Sequence, residues 1–489
     1  MNPPAIMVQG TGSHVGKSLL VAGLCRMLVR RGMRVRPFKP QNMSNNAAAV
    51  EGGEIGRAQA LQARAARVAP TVHMNPVLLK PETDRRSQVV VQGQRSGQLE
   101  SSSFGGARRS LLPSVMESFR MVAAGSDIVV VEGAGSPAET NLRQGDIANM
   151  GFAQAARVPV ILAGDIDRGG VIASLVGTHA VLDEMDRSLV RGFIINKFRG
   201  DPRLFDDGLA RIERSTGWPC LGVVPWFADA HKLPAEDALD LASPGRAAGA
   251  RLKIAVPILT RIANFDDLDP LRLDSAVDLA MVPPGSALPG DADLVILPGT
   301  KATMADLAFV RAQGWDIDLT AHRRRGGFIL GICGGYQMLG TALDDPEGVE
   351  GPPGSVDGLG FLSVATVFAR DKTVRPVSAY HPDFGCGLSA YEIHLGRTEG
   401  ADTRRAPFRV EGRPEGAMSP DGRVLGTYLH GLFTADPFRA AFLEHLAPGS
   451  RFGGLAYDDE VEAALDGLAD HLEAHLNVER LLAIAREGV

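Results

Sequence analysis

Short apolar runs alternate with segments of helical period along this chain, and that alternation restricts the fold more than any other feature. In the first half the runs are Ala5–Gln9, Val35–Lys39, Asp127–Val131, Val158–Ala163, Gly192–Asn196 and Cys220–Val224. Between them lie helical patterns such as Ser18–Arg30, with Leu19, Leu20, Ala22, Gly23, Leu24 and Met27. Apolar strands joined through helices predict a doubly wound parallel sheet. A second α/β series begins at Leu252–Leu259 and continues with Asp293–Leu297, Gly327–Leu330, Phe361–Phe368 and Val424–Leu429. The stretch 242–250, Ala-Ser-Pro-Gly-Arg-Ala-Ala-Gly-Ala, is rich in small residues and turn formers and reads as a linker. The expected organisation is a first domain at 1–241, the linker 242–250, a second domain at 251–445, and a helical tail at 446–489 packed on the second domain.

Composition narrows the functional classes. With 489 residues there is room for about three average domains. A net charge of −6 gives no reason to expect a nucleic-acid partner or an anionic membrane surface. The cysteines, Cys25, Cys220, Cys333 and Cys386, are scattered with no Cys-x-x-Cys pair, so neither zinc nor a redox pair is indicated. The start runs directly into a strand without a basic n-region, which argues against a signal peptide. No apolar stretch approaches the ~20 residues needed to span a bilayer. A reducing, cytoplasmic setting fits these thiols. Nothing in the pattern speaks to oligomeric state.

Gly10-Thr11-Gly12-Ser13-His14-Val15-Gly16-Lys17-Ser18 follows the first strand and opens the first helix. A glycine-rich loop in this context presents backbone amides and a helix dipole to phosphate oxygens. Lys17 would reach the β/γ-phosphates of ATP and Ser18 would hold Mg²⁺. The spacing departs from the usual motif: position 11 is Thr, and the leading glycine sits one residue earlier. Further polar groups end the following strands, where an open α/β sheet binds ligands. Glu132, in Glu-Gly-Ala-Gly135, suits a Mg²⁺ ligand. Asp165, Asp167 and Arg168 end the next strand, and Asn196 and Lys197 the one after, where they could touch the base. Lys39, Gln41, Asn42, Ser44, Asn45 and Asn46 end the second strand. Such neutral amides and hydroxyls suit a substrate carrying many amides or carboxylates, although an Asn-rich turn has the same composition.

In the second half, Gly331-Ile-Cys333-Gly-Gly335 joins an apolar run to a helical pattern. A cysteine at the apex of a Gly-x-Cys-x-Gly turn reads as a nucleophile elbow, its thiolate favoured by the helix behind it. A buried cysteine in a Gly-rich turn is the alternative. A thiolate nucleophile needs a base and an oxyanion hole. His430, in Thr-Tyr-Leu-His-Gly431, ends a predicted strand and is the base candidate. Gly299, in Leu-Pro-Gly-Thr300, and Gly334 could supply the oxyanion amides.

Together these strings resemble the cobyric acid synthase family, and the resemblance covers essentially the whole chain. The first half is similar to dethiobiotin synthetase-type ligases through Gly10–Ser18 and Glu132–Gly135. The second is similar to class I glutamine amidotransferase domains through Leu297–Gly299, Gly331–Gly335 and His430. More specific to this family are Lys39–Asn46, Glu132–Glu139, Asp165–Gly170, Asn196–Asp201 and Tyr391-Glu-Ile-His394. The implied fold is a doubly wound P-loop domain followed by a class I glutamine amidotransferase-like α/β domain. The resemblance implies that Cys333 and His430 form the glutaminase pair, that Lys17 and Ser18 hold ATP and Mg²⁺, and that Glu132, with Glu54 as a looser match, completes the metal ligands. It also implies a corrinoid substrate, adenosylcobyrinic acid a,c-diamide, amidated on its b, d, e and g carboxylates with glutamine and ATP. One position departs from the class I pattern: Leu432 stands where a carboxylate often follows the histidine, so a third member must come from elsewhere, Glu392 being one candidate. The rival readings are a cobyrinic acid a,c-diamide synthase, a partition-type P-loop ATPase and a papain-like peptidase.

Overall fold

The computed structural model describes residues 3–83, 85–100, 109–234 and 249–488. It forms two compact units. One comprises Met1–Ser44, Gly52–Glu236 and Val461–Val489, the other Asn45–Glu51 and Asp237–Glu460. The expected boundary at 241 and positions 242–248 of the linker lie outside the described residues.

The first unit is built on a six-stranded sheet in the order Cys220–Pro225, Val190–Phe198, Val160–Asp165, Ala5–Gly10, Ile128–Glu132 and Val35–Phe38. Every neighbouring pair is parallel. Helices cover the sheet, so strands such as Ile-Val-Val-Val-Glu132 are buried at every position. On one face Phe38, Phe119 and Phe152 form a ring cluster with centroids 5.3–5.4 Å apart. The first strand lies between Val160–Asp165 and Ile128–Glu132, so the loop after it opens at the point where strand order reverses. A four-stranded sheet of Gln41–Met43, Val77–Pro81, Arg86–Val91 and Gln94–Glu100 was not expected. Its last strand, Gln-Arg-Ser-Gly-Gln-Leu-Glu, lacks the apolar residues that mark a strand in sequence.

The second unit has a six-stranded sheet ordered Val277–Val282, Leu252–Pro257, Leu294–Leu297, Phe328–Ile332, Val424–Thr427 and Ala417–Met418. The first five strands are parallel and the last is antiparallel. The expected strand Phe361–Phe368 does not join this series. It begins at Val364 and runs to His381, antiparallel to Cys386–Gly400, in a second sheet that also takes in Leu429–His430.

The tail departs from expectation in its partner. Its helices, Tyr457–His475 and Val478–Glu487, belong from Val461 onward to the first unit. Leu468 and Leu472 lie over Gly23 of the helix Lys17–Arg30, where a Cβ would stand only 2.5 Å from Leu472 Cδ1. Arg26 of that helix, fully buried, donates to Glu462 at 2.6 Å and to Asp466 at 3.4 Å. Arg31 donates to Glu479 at 2.7 Å and to Glu473 at 2.9 Å. Helical period showed that one face of the tail is buried, but not against what. The buried leucines make the contact with the helix Lys17–Arg30, and the rows Arg26, Arg30, Arg31 and Glu462, Asp466, Asp470, Glu473 match in charge across it. Among the described residues no helix is long and apolar enough to cross a membrane.

Because Leu472 is fully buried under the phosphate-loop helix, Leu472→Ala is expected to destabilise the first unit by about 2–5 kcal/mol. Denaturant unfolding followed through nucleotide binding checks this; an unchanged midpoint would place the tail elsewhere.

Candidate active sites

The first site gathers around the loop Gly10–Ser18. Two of its backbones are left-handed, His14 at φ 60° and Gly16 at φ 92°, which folds the loop back on itself. Gly10 has no room for a side chain: a Cβ would lie 2.5 Å from Val15 Cγ2 and 3.1 Å from Lys17 Nζ. Lys17 is buried and donates to the carbonyls of Gly12, at 3.0 Å, and Gly135, at 3.2 Å. An ammonium held by carbonyls at a helix N-terminus is poised to exchange them for phosphate oxygens. Asn196 donates to Val15 O at 2.8 Å, and Lys197 donates to His14 O at 2.5 Å and to Asp165 at 3.0 Å. The ends of three strands thus meet on one loop.

Glu132 is the hub of this site and is fully buried. Its Oε1 accepts from Ser18 Oγ and from Lys39 Nζ, both at 2.8 Å. Its Oε2 accepts from Gln62 at 2.5 Å and, weakly, from Gln59 at 3.4 Å. Gln59 also accepts from Asn42 at 3.0 Å, tying the Asn-rich string to the carboxylate. Gln59 and Gln62 escaped the sequence reading. Their spacing of three on the helix Arg57–Ala65 puts both on one buried face, which is an unusual place for two amides.

Several expected members stand apart. Glu54 is buried against Lys80, whose ammonium lies 2.9 Å from its carboxylate, rather than with Ser18 and Glu132. Lys39 sits on Glu132, in the phosphate site rather than among the neutral amides. Gln41 is buried, and its Oε1 has no hydrogen-bond partner. Ser44 closes the first unit's share of the string, its amide on Leu79 O, whereas Asn45 and Asn46 belong to the second unit. Asp167 pairs with exposed Arg199 at 2.7 Å, and the Arg168 side chain is 67% exposed, 4.0 Å from Asp165.

The second site is the elbow. Cys333 has φ 53° and ψ −110°, a strained conformation for a residue with a side chain. It falls between the strand Phe328–Ile332 and the helix Gly334–Leu339. The turn requires its glycines, since a Cβ on Gly335 would lie 2.0 Å from the Leu297 carbonyl oxygen. Cys333 is 8% exposed, and its Sγ donates to Ile393 O at 3.4 Å. A Cβ added to Gly299 would fall 3.2 Å from His430 Cε1 and 3.8 Å from Cys333 Cβ, so the two reactive side chains and Gly299 share one space.

His430 is not the end of its expected strand. Val424–Thr427 stops three residues earlier, and Leu429–His430 pairs instead with Cys386–Gly400, Tyr391 opposite His430. Its Nδ1 lies 2.7 Å from Asp267 Oδ2, and the Gly431 amide donates to Asp267 Oδ1 at 2.6 Å. The carboxylate on His430 is therefore Asp267, not Glu392, which accepts from Arg375 at 2.7 Å. Burial alone would lower the His430 pKa, but Asp267 and the neighbouring Cys333 outweigh it and raise the value to about 10. Nε2 is buried without a hydrogen bond. The imidazolium is thus held between a carboxylate and a thiol, an arrangement that can stabilise a thiolate and pass a proton. The sequence held one signal for Asp267: the acidic turn Asp266-Asp-Leu-Asp269 lies just beyond the carboxyl end of Leu252–Pro257.

Comparison with known proteins agrees with this division. Residues 6–240 match the CobQ/CobB/MinD/ParA nucleotide binding domain, and residues 253–438 match the CobB/CobQ-like glutamine amidotransferase domain. A nucleotide-binding domain joined to a glutamine amidotransferase domain defines an enzyme that amidates its substrate with nitrogen from glutamine. The chain is 62% identical to cobyric acid synthase of Cereibacter sphaeroides, over 99% of this chain and 100% of that protein. It is 62% identical to cobyric acid synthase of Paracoccus denitrificans, over 99% and 100%. It is 61% identical to that of Bradyrhizobium diazoefficiens, over 99% of each chain. The chain belongs to the cobyric acid synthase family, the glutamine-dependent amidating enzymes of cobalamin biosynthesis.

Removing the Asp267 charge should lower the His430 pKa from about 10 towards the ordinary imidazole range. Asp267→Asn is therefore expected to move the alkaline limb of glutamine hydrolysis to lower pH and to cost about a hundredfold or more in kcat. A pH–rate profile with an unmoved alkaline limb would show that Asp267 does not hold the imidazolium.

Proposed function

We propose that the two sites carry two half-reactions. At the elbow the Cys333 thiolate attacks the side-chain amide carbon of glutamine. The backbone amides of Gly299 and Gly334 receive the developing oxyanion. The His430 imidazolium gives its proton to the departing ammonia, leaving a thioester. Water, losing a proton to the now neutral His430, then releases glutamate and regenerates the thiol. Asp267 holds the ring in the tautomer and orientation this exchange requires.

At the phosphate loop a carboxylate of the corrinoid substrate attacks the γ-phosphoryl group of ATP. Lys17 and the loop amides offset the charge as the acyl phosphate forms. Ammonia displaces phosphate and leaves an amide. Ser18 Oγ and Glu132 Oε1, 2.8 Å apart at the loop, are an all-oxygen donor pair that suits a hard cation. These residues would hold Mg²⁺, whose contribution is to neutralise the β- and γ-phosphates. Asn196 and Lys197, bonded to the loop carbonyls of Val15 and His14, are the residues we propose to contact the nucleotide. Gln41, with its buried unpartnered carbonyl, and Asn42, Ser44, Asp165, Asp167 and Arg168 are our proposed contributors to corrinoid binding. The substrate in this reading is adenosylcobyrinic acid a,c-diamide, amidated at b, d, e and g, in the cytoplasm.

The observation that carries the reading is the His430–Asp267 pair beside a strained cysteine, a constellation for which a nucleotide switch alone has no use. Cys333→Ala is expected to abolish glutamine-dependent amidation while activity on added ammonia persists, and Lys17→Ala to abolish amidation from either source. Parallel assays with the two nitrogen donors test this. A folded Cys333→Ala enzyme that still uses glutamine would overturn it.

A further inference from the structure

Glu415 is buried in the second unit and has no part in the chemistry described so far. It ends the strand Arg413–Glu415, which is paired with Phe408–Val410 and so held independently of both reacting side chains. Its carboxylate accepts from Thr427 Oγ1 at 2.6 Å and from the Tyr428 amide at 2.7 Å. The Thr427 hydroxyl in turn accepts from the Leu429 amide at 3.0 Å.

These three residues lie where the chain changes sheets. Val424–Thr427 runs parallel to the elbow strand Phe328–Ile332, whereas Leu429–His430 runs antiparallel to Cys386–Gly400. A crossover of this kind takes amides out of one ladder before the next begins, and buried amides require acceptors. Thr427 and Leu429 are fully buried and Tyr428 is 8% exposed, so water does not serve them. Glu415 supplies one acceptor directly and another through the Thr427 hydroxyl. The same crossover carries both reacting groups: the Thr427 carbonyl accepts from the Cys333 amide at 2.8 Å, and His430 follows three residues later.

We propose that Glu415 is a positioning residue for glutamine hydrolysis, fixing the crossover from which Cys333 and His430 are both suspended and so setting their separation. The proposal rests on the assignment of Cys333 and His430 as the glutaminase pair. Two donors, the Thr427 hydroxyl and the Tyr428 amide, converge on the two oxygens of Glu415. In Glu415→Gln the carbonyl oxygen can still accept from the Tyr428 amide, but the NH₂ group meets the Thr427 hydroxyl only if that hydroxyl turns from donor to acceptor, so the pairing at the crossover is rebuilt. A displacement of the order of 1 Å between nucleophile and base can cost about a hundredfold in rate.

The test uses the full chain with glutamine or ammonia as nitrogen source, alongside Cys333→Ala. Glu415→Gln is expected to lower kcat with glutamine ten- to a hundredfold, to leave KM for glutamine within threefold, and to leave ammonia-dependent amidation at its normal rate. Thr427→Val should show the same split more mildly, and Thr427→Ser, which keeps the hydroxyl, should restore kcat. Normal glutamine turnover in both Glu415→Gln and Thr427→Val would overturn the proposal. So would equal loss with both nitrogen sources, which would mark Glu415 as a fold-wide support, or failure of Thr427→Ser to restore kcat. If Cys333→Ala itself retains glutamine turnover, the underlying assignment fails rather than the role of Glu415 alone.

Discussion

A parallel strand covered on both faces makes a polar side chain costly until it ends. Both units are organised by this constraint. In the first, buried runs deliver a phosphate loop after Gly10, the carboxylates of Glu132 and Asp165, and the amide and ammonium of Asn196 and Lys197 to one edge of one sheet. In the second, the strands Leu294–Leu297 and Phe328–Ile332 end at Gly299 and Cys333. Chemistry is concentrated at strand ends because the interior of the sheet excludes it. Close packing then sharpens the placement: the Leu297 carbonyl touches the position where Gly335 would carry a side chain, leaving the elbow a single course.

Charge at these ends is compensated locally. Glu132, with no exposure to solvent, is surrounded by Ser18, Lys39, Gln59 and Gln62. A buried carboxylate without such donors would be costly. Ligand binding therefore amounts to exchange among partners already present, which suits a site that must bind and release phosphates in each cycle. His430 is treated differently. It is held by one carboxylate on one side and left without a hydrogen bond on the other.

The parts of the molecule legible in sequence were those whose signal is local. The parallel strands announce themselves as apolar runs, and Gly10–Ser18 and Gly331–Gly335 need their residues contiguous to make their turns. What was missed depends on long-range pairing. Asp267 stands 163 positions from His430, and only the folded chain brings the two together. The hairpin Val364–His381 with Cys386–Gly400 carries partly exposed, mixed-polarity residues, so no apolar run marks its extent. The tail's amphipathic pattern could have faced either unit, and its contact with Gly23 of the phosphate-loop helix is made only in the folded chain. The pairing of Glu54 with Lys80, 26 residues away, likewise exists only in the folded chain.

The central claim is that nitrogen released at Cys333 becomes amide on a corrinoid activated at the phosphate loop of the same chain. Mass spectrometry of adenosylcobyrinic acid a,c-diamide incubated with this protein, ATP and glutamine labelled with ¹⁵N at the side-chain amide measures that transfer directly. The account predicts a product carrying four new amides, each labelled. A corrinoid recovered without label, under conditions where glutamine is hydrolysed, would contradict it.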